Sequence, residues 1–413
     1  MTKTSNYPLI IIGAGAAGLA ASEMATRRGV KHRVLEASHR TGGRGLTEML
    51  ADQYPVDLGC HWLHSGSINP YTQWATKLGF DYPISKWEFS MFIDGAWYSD
   101  TDAAAPFRYI DEINWRMEAT RKKGGACSQW DLADSDHQWN QFFQYWVSLM
   151  SSVDADQVSI LDICEYRDTH EDWPVMKGYG ALIAQQGVDC PVDLNCVVTK
   201  INWGDLPISI ETSQGVVTAD RLVITTSTGV LNAGDIEFNP KLPSWKMDAI
   251  NALPLGNSNY TFCTFEPDAI DPDAPDHILW QRDDQTFWVR LREFGYPYAF
   301  TSTGGRFAWW LEKQGQDASI ELFSDVMVDI FGSRVRDKLS NFKVSAWGMD
   351  PWIRGAYSAT QPGKIGMRTE LARCIDNRLF FAGEATSPDS FSTAHGAYQS
   401  GHRAINQVCD SLS

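Results

Sequence analysis

The 413-residue sequence lacks several features that would place it in a common class of protein. No apolar stretch approaches the ~18 residues of a membrane-spanning helix, which excludes an integral membrane protein of that kind. The eight cysteines form no CxxC pair and no cluster with histidines, which argues against a zinc site and is typical of free thiols. Lysine and arginine number 35 against 51 aspartates and glutamates, and this net charge of −16 disfavours nucleic acid or an anionic membrane as the main partner.

The chain does contain enough apolar material for a large core. Hydrophobic residues make up 43% of it, and 17 tryptophans supply flat side chains for packing or for the wall of an organic ligand pocket. The length suggests two or three domains, without an internal repeat or a low-complexity linker between them. The N-terminal residues show no secretory signal pattern, so we expect a soluble, cytoplasmic protein.

The first 36 residues predict a βαβ unit. Residues 7–12 are apolar and predict a buried strand, residues 16–28 a helix of small residues, and residues 30–36 a second strand. A strand–helix–strand crossover of this kind joins parallel strands. Similar buried strands are predicted within 195–225 and at 379–382, so one domain is expected to use three separate segments of the chain.

A glycine motif joins the first strand to the first helix. Gly13, Gly15 and Gly18 form GxGxxG, in which the first glycine permits a tight turn and the second lets a pyrophosphate approach the backbone. The third lets the helix and strand pack closely, and the N-terminus of the helix attracts phosphate. Glu36 ends the second strand, where an acidic residue would hold ribose hydroxyls. Together these features predict a dinucleotide site.

The next segment separates FAD from NAD. Residues 35–44 continue to a Gly-Gly-Arg pattern that resembles FAD-dependent flavoproteins of the amine oxidase family. Gly43 allows close backbone approach, and Arg44 supplies a forked cation for the pyrophosphate or flavin. Arg40, in the same segment, is a further candidate for cofactor contact.

More segments resemble that family in the right order and span nearly the whole chain. They are residues 57–64, 178–180, 220–231, 238–256, 347–357 and 379–401. The resemblance implies an α/β fold, α+β in part, with a discontinuous Rossmann-like FAD-binding domain and a substrate domain of mixed sheet and helices. We predict that the FAD-binding domain comprises 1–80, 188–240 and 346–413, and the substrate domain 81–187 and 241–345. Local patterns predict strands within 258–312 and helices within 140–165, 240–254, 318–338 and 393–409.

The resemblance also implies which residues meet the cofactor. Gly383 and Glu384 match a strand-end turn at the ribityl and phosphate region, and Thr393 begins a helix whose N-terminus would point at the flavin. Val198 matches a position whose backbone meets the adenine, although it could equally be a plain core valine. Covalent members attach flavin through a cysteine just before the slot tyrosine. Ala356 stands there in this chain, so we predict non-covalent FAD.

An aromatic slot over the flavin is the family's substrate site. By resemblance, Tyr357 is one wall, Thr393 falls at the opposite wall, and Trp352 packs by the flavin ring. A Tyr/Thr pair would make a more open slot than two tyrosines. His64 matches a histidine near the substrate that could bind the amine or shuttle a proton; the alternative is a structural histidine tied to a backbone carbonyl.

One position departs from the family pattern. Tyr260 stands where the family has a lysine that reaches the flavin through a water. Either Tyr260 holds the water in another way and oxidase activity survives, or oxygen reacts poorly and another acceptor is used. A third alternative is that the reaction is not simple amine oxidation.

We therefore predict FAD-dependent oxidation of a primary or secondary amine, by hydride transfer to the flavin and hydrolysis of the imine. The alternatives are a flavoenzyme of the same scaffold acting on an amino acid or a biosynthetic intermediate by desaturation or cyclisation, and a non-redox flavin-binding protein. An amino acid would need an arginine for its carboxylate; Arg290, Arg292 and Arg354 are available, but nothing in the sequence aims them at the flavin. Expected partners are a small amine and oxygen or another acceptor. A homodimer is only the base-rate expectation.

Overall fold

The computed structural model describes residues 6–84, 88–98 and 104–412. The strands are β1 (Asn6–Ile12), β2 (His32–Leu35), β3 (Thr47–Leu50), β4 (Tyr54–Asp57), β5 (Trp62–His64), β6 (Ser90–Ile93), β7 (Ala96–Trp97), β8 (Asp172–Pro174), β9 (Val192–Asp193), β10 (Val198–Asn202), β11 (Ile208–Thr212), β12 (Gly215–Ile224), β13 (Glu237–Asn239), β14 (Ser258–Phe265), β15 (His277–Arg282), β16 (Gln285–Leu291), β17 (Tyr298–Gly304), β18 (Leu339–Val344) and β19 (Leu379–Phe381). The helices are α1 (Ala16–Arg27), α2 (Pro70–Leu78), α3 (Ala105–Lys122), α4 (Asn140–Ser151), α5 (Ile160–Ile163), α6 (Tyr179–Gln186), α7 (Thr228–Ala233), α8 (Ser244–Asn251), α9 (Gly305–Gln314), α10 (Gln316–Phe331), α11 (Met367–Ala372) and α12 (Ala394–Leu412). Among these described helices, none has the length and apolar character needed to cross a membrane.

The first sheet has eight strands and is covered on both faces. Its order is β13-β10-β11-β12-β1-β2-β9, with β19 beside the end of β12. β1 runs parallel to both β12 and β2. Leu9 and Ile11 pack on one face with α1 and α12, while Ile10 and Ile12 pack on the other with α8 and α11. Strands buried on both faces read as continuous apolar runs, which explains the sequence of β1.

The second sheet has seven strands in the order β18-β14-β17-β16-β15-β6-β7. Its strands are antiparallel apart from the β6–β15 pair. The register sets Tyr260 opposite Ser302, and Arg290 opposite Phe300. Since side chains alternate along a strand, these four share one face of the sheet.

The predicted α/β fold, α+β in part, is confirmed by these two sheets and their helices. The first sheet draws on the beginning, middle and end of the chain, and the second on residues 90–97 and 258–344. The division of the chain at residues 80, 187, 240 and 345 remains our proposal, and the separation of the strands between the two sheets supports it. Two helices of the segments assigned to the substrate domain, α6 and α8, nevertheless pack with the core of the first sheet.

Local predictions hold for β1, α1, β2, α8, α10, β19 and α12, with ends shifted by a few residues. The prediction of strands up to residue 312 is wrong, because β17 ends at Gly304 and α9 follows at once. Gly305 has a φ of +65°, which turns the chain, and Ala308 and Leu311 then face the core at helical spacing. The helical pattern of 140–165 also breaks after Ser151, because Ser152 adopts a left-handed conformation with a φ of 57°.

Candidate active site

Residues of both sheets line one cavity of about 1070 Å³. Small-ligand pockets usually measure about 300–1,000 Å³, so this cavity has room for a large cofactor and a small second molecule. Every predicted site residue except Gly18 lines it. These residues are Gly13, Gly15, Glu36, Arg40, Gly43, Arg44, His64, Val198, Tyr260, Trp352, Tyr357, Gly383, Glu384 and Thr393.

The glycines of the motif have two different positions. Some leave open space at the cavity, and Gly18 allows close packing of the helix against the turn. Gly13 has a φ of +97°, and a Cβ on Gly18 would lie 1.8 Å from the Gly13 carbonyl oxygen. Gly18 therefore lets α1 pack against the turn and does not reach the cavity. A Cβ on Gly15 would meet nothing nearer than the Gly43 Cα at 3.8 Å. Gly15 caps α1, and among the described residues no side chain makes a capping hydrogen bond to the N-terminus of this helix.

Glu36 follows β2 and is buried beside the glycine turn. Its Oε2 accepts a hydrogen bond from the Ala14 N–H at 2.6 Å, and its Oε1 accepts one from the Ser38 N–H at 2.8 Å. Burial raises the pKa of Glu36, although these two bonds oppose the shift. A carboxylate has about four acceptor sites, so acceptor capacity remains for ligand hydroxyls. Val198, at the start of β10, is buried and also lines the cavity.

The two arginines predicted to contact the cofactor, Arg40 and Arg44, make different contacts within the protein. Arg40 donates to the carbonyl oxygens of Thr41, Gly43 and Gly45, so it braces its own loop. Arg44 donates through Nη1 to the Ala356 carbonyl at 2.5 Å and to Glu384 Oε1 at 2.9 Å. Arg44 thus ties the loop to the segments that carry Tyr357 and the strand-end turn.

Glu384 is a buried junction. Its oxygens accept from Ser358 N–H and Oγ, from the Ser392 N–H and from Arg44. Burial raises its pKa, but Arg44, Arg368 and the hydrogen bonds outweigh that effect and lower the pKa overall. Gly383 next to it has a φ of +126° and leaves backbone exposed to the cavity.

These residues fit an FAD molecule. The uncapped N-terminus of α1 and the Gly15–Gly43 cradle suit a pyrophosphate, and Glu36 suits a ribose. Trp352 is 43% exposed although it lines the cavity, so it offers an indole face that a flat ring could cover. The opening left at Gly15 is the observation that decides the fit, because any side chain there would enter this cradle.

Tyr357 and Thr393 are both held by the chain itself. The Tyr357 hydroxyl donates to the Leu149 carbonyl on α4, which fixes the orientation of the ring. Thr393 Oγ1 accepts from the Gly396 N–H at 3.0 Å and donates to the Ser390 carbonyl at 2.6 Å, so it caps α12. The Thr393 hydroxyl is thereby occupied, whereas the Tyr357 ring is presented as a wall.

Tyr260 lies on β14 in a buried aromatic setting. Its ring centroid is 6.2 Å from those of His61 and Phe300, and 5.7 Å from that of Phe262. Burial raises the pKa of the Tyr260 hydroxyl, and the guanidinium of Arg290 opposes this. The guanidinium carbon of Arg290 lies 5.5 Å from the centre of the Tyr260 ring.

His64 makes a charge-assisted pair with a carboxylate. Its Nδ1 lies 2.5 Å from Asp172 Oδ1 across the β5–β8 pair, and both residues line the cavity. Burial lowers the pKa of His64, but the hydrogen bond and charge of Asp172 outweigh it and raise the pKa overall. The side chain is tied to this carboxylate, not to the backbone carbonyl that the structural alternative expected.

Comparisons with known proteins agree with this geometry. The sequence model of the family described as "Flavin containing amine oxidoreductase" matches residues 86–409, and that of the "NAD(P)-binding Rossmann-like domain" matches residues 11–76. Polyamine oxidase 4 of Oryza sativa subsp. japonica is 26% identical, over 97% of this chain and 88% of its own length. Polyamine oxidase 2 of Arabidopsis thaliana is 27% identical, over 97% and 87%. Lysine-specific histone demethylase 1 homolog 2 of Oryza sativa subsp. japonica is 28% identical, over 97% and 56%.

The chain belongs to the flavin-containing amine oxidoreductase family. As a member of this family the protein is an FAD-dependent oxidoreductase that acts on amines. The predicted family, cofactor and reaction are thus confirmed, while the roles of individual site residues remain predictions.

Sequence reasoning missed part of this flavin amine oxidoreductase site. The structure adds walls from α3, α4 and β16, including Phe107, Trp146, Trp288 and Arg290. Arg290 was named only as an available arginine without direction. The signal that could have found it is its alternation with Trp288 on one strand, but strand pattern alone does not show which face meets the cavity.

Proposed function

We propose that the enzyme oxidises a primary or secondary amine in the part of the cavity that Tyr357, Tyr260 and α4 line. The observation that carries the proposal is that this aromatic lining and the dinucleotide cradle belong to one cavity. A substrate can therefore lie against a cofactor without leaving the protein interior.

Bound FAD supplies the acceptor for the hydride that leaves the carbon beside the amine nitrogen. In the substrate a C–H bond breaks and a C=N bond forms. Water then hydrolyses the imine to an aldehyde or ketone and releases ammonia or an amine. The two electrons leave on oxygen or on another acceptor.

The chain's own residues orient the amine and exclude water. The Leu149 carbonyl holds the Tyr357 ring as one wall of the slot. Thr393, which is held in place because its hydroxyl caps α12, makes a smaller opposite wall than a second tyrosine would. His64 stays protonated to a higher pH than a free histidine because Asp172 pairs with it. We therefore assign His64 to positioning near the substrate and not to the role of a neutral base.

The relatives' names make a polyamine the first candidate among amines. Asp111 and Asp168 line the cavity together with the His64–Asp172 pair, which is compatible with a cationic substrate. A cytoplasmic location is a further proposal. It is supported by the eight cysteines, all of which are free in the structure.

The proposal is tested by mixing the FAD-loaded enzyme, without oxygen, with primary amines, secondary amines and polyamines while recording the flavin spectrum. We expect at least one class to bleach the flavin, and readmitted air then shows whether oxygen accepts the electrons. Replacing Tyr357 with Ala should slow bleaching by about 10-fold or more, whereas Tyr296→Ala, at a ring outside the cavity lining, should not. Bleaching by dithionite but by no amine would overturn the proposal.

A further inference from the structure

A buried guanidinium lies in the cavity wall. Arg290 on β16 is only 2% exposed and is among the largest fully buried side chains of the described residues. It lines the cavity together with Trp288 and Tyr260. Its Nη2 donates to Ser302 Oγ at 3.3 Å, and its Nε has no hydrogen-bond partner in the described part of the chain.

Aromatic rings surround this charge without neutralising it. The guanidinium carbon lies 3.9 Å from the centre of the Phe300 ring, 4.4 Å from that of Trp288 and 5.8 Å from that of Trp62. Cation–π contacts partly offset the loss of water around a buried cation. They do not give the Nε donor an acceptor, and a buried donor without an acceptor destabilises the fold.

Glu293, a carboxylate whose pKa the charge of Arg290 lowers, is already engaged by other donors. Glu293 accepts hydrogen bonds from His61 Nε2 at 3.0 Å and from the Tyr298 hydroxyl at 3.1 Å. Glu293 feels the charge of Arg290 at a distance, but within the described residues no ion pair joins the two side chains. Among the described residues, Arg290 thus has hydroxyl neighbours in Ser302 and Tyr260 but no carboxylate partner, and its Nε donor is left without an acceptor beside the cavity.

Two other arginines show what a satisfied guanidinium looks like here. Arg292 pairs with Asp276 and donates to the carbonyls of Asp271 and Ala274. Arg354 makes a two-pronged pair with Asp235. Neither leaves its charge unmatched in the way that Arg290 does.

We propose that Arg290 binds a carboxylate of the substrate, so that the preferred amine also carries an anionic group. This inference rests on the proposed amine oxidation, and it favours an amine that carries a carboxylate over the polyamine that the relatives' names suggest. A guanidinium can bind a carboxylate through two parallel hydrogen bonds, which would satisfy the unpartnered Nε donor and neutralise the unpaired charge. An apolar aromatic wall in the same cavity is formed by Trp146, Trp288 and Phe107. The part of the substrate that contacts this wall is therefore expected to be bulky and apolar.

Matched pairs of substrates test this inference. The FAD-loaded enzyme is mixed without oxygen with phenylalanine or 2-phenylethylamine, and with tryptophan or tryptamine, which differ only by the carboxylate. Spermidine serves as the polycationic comparison. Separately, calorimetric titration with 3-phenylpropanoate, which has the carboxylate and no amine, measures binding without turnover.

We expect the carboxylated member of a pair to reduce the enzyme at lower concentration, and 3-phenylpropanoate to bind. Arg290→Gln should weaken both effects by about 10- to 100-fold, and Arg290→Lys by less. Arg292→Gln, two residues away on a satisfied guanidinium, should change neither. Melting temperature and FAD content identify any variant that fails to fold. If Arg290→Gln fails to fold, Arg290→Lys is compared with the wild type instead.

The outcomes separate the inference from the proposed function. If amines without a carboxylate reduce the enzyme equally well or better and 3-phenylpropanoate does not bind, the inference is wrong while amine oxidation stands. An equal effect of Arg290→Gln on both members of a pair also contradicts it. If nothing reduces the enzyme, the proposed function fails, and the titration alone still decides whether Arg290 holds a carboxylate.

Discussion

Tyr260 occupies the β14 position at which the family resemblance expects a lysine. The nearby buried cation is Arg290, which lies two strands away on the same face of the sheet. The buried positive charge therefore lies on β16, and not on β14 where the family resemblance expects it. Tyr260 supplies only a neutral hydroxyl there, since burial raises its pKa.

Replacing Tyr260 with Phe removes that hydroxyl and keeps the ring packing. We expect the rate at which oxygen reoxidises the reduced enzyme to fall by about 3- to 10-fold, because one polar group near the cofactor is lost. Stopped-flow absorbance measures reduction and reoxidation separately, and Phe262→Leu on the same strand controls for packing. Unchanged rates of both steps would make Tyr260 a bystander.

The His64–Asp172 pair predicts a pH-dependent stability. Asp172 raises the pKa of His64 in the folded state above the usual value near 6.5. The stabilisation is therefore complete below about pH 6.5 and is lost as the pH rises through the folded pKa. Asp172 stays ionised across this range, because His64 outweighs burial and lowers its pKa.

We expect Asp172→Asn to melt below wild type near pH 6, with the difference shrinking as the pH rises toward 9. Thermal melting across this range measures the effect. Asp189→Asn, at an exposed carboxylate that is not among the charges acting on His64, is the control. A difference that stays constant with pH would show that the pair contributes by packing alone.

At the scale of elements, Asp57 joins two segments that the sequence presents separately. Its Oδ2 accepts from the Tyr179 N–H at 2.8 Å and its Oδ1 from the Gly180 N–H at 3.0 Å, so it caps α6 from the end of β4. It is 1% exposed. The 57–64 and 178–180 segments, both noted for their family resemblance, are thus parts of one joint.

Asp57→Ala is expected to destabilise the fold by about 3 kcal/mol, because it leaves buried N–H groups without acceptors. Urea unfolding measures this, and Asp189→Ala, at an exposed position just beyond α6, is the matched control. A loss below about 1 kcal/mol would mean that water replaces the carboxylate.

The glycine motif predicts a division of roles between neighbouring glycines. Gly18→Ala places a Cβ 1.8 Å from the Gly13 carbonyl oxygen, so α1 must move and stability should fall. Gly15→Ala meets no protein atom closer than 3.8 Å, so the fold should survive while FAD binding weakens about 10-fold or more. Melting temperature and FAD titration of both variants separate the two effects. Equal losses of stability would contradict this division.

The features that follow from neighbouring residues could be predicted from the sequence, and those that depend on packing between distant segments could not. β1, α1 and Glu36 were predictable because apolar strand, glycine turn and acidic strand end follow one another within 36 residues. The end of β17 at Gly304 was missed because the aromatic pattern continues into α9. The direction of Arg290 could not be predicted, since it depends on pairing between β16 and β17 and on α4 packing over the same face.

At the scale of the whole molecule, the cavity joins both sheets, and FAD is expected to bind there without a covalent bond. Ala356 offers no thiol before Tyr357. Cys60 and Cys196 line the cavity, but burial raises the pKa of both thiols, so neither presents the thiolate that attachment requires. Acid precipitation should therefore leave the yellow colour in the supernatant.

Removing FAD should also loosen the contact between the two sheets, because the cofactor fills space that residues of both sheets line. A ligand that binds only the folded state at 100 times its Kd stabilises that state by about 2.7 kcal/mol. We expect FAD-stripped enzyme to melt several degrees lower, and added FAD to restore the loss, whereas added adenosine diphosphate, which lacks the flavin, should restore it only in part. In the acid precipitation, a yellow pellet would contradict non-covalent binding. In the melting experiment, an unchanged melting temperature after FAD is stripped would show that the two sheets stay in contact without the cofactor.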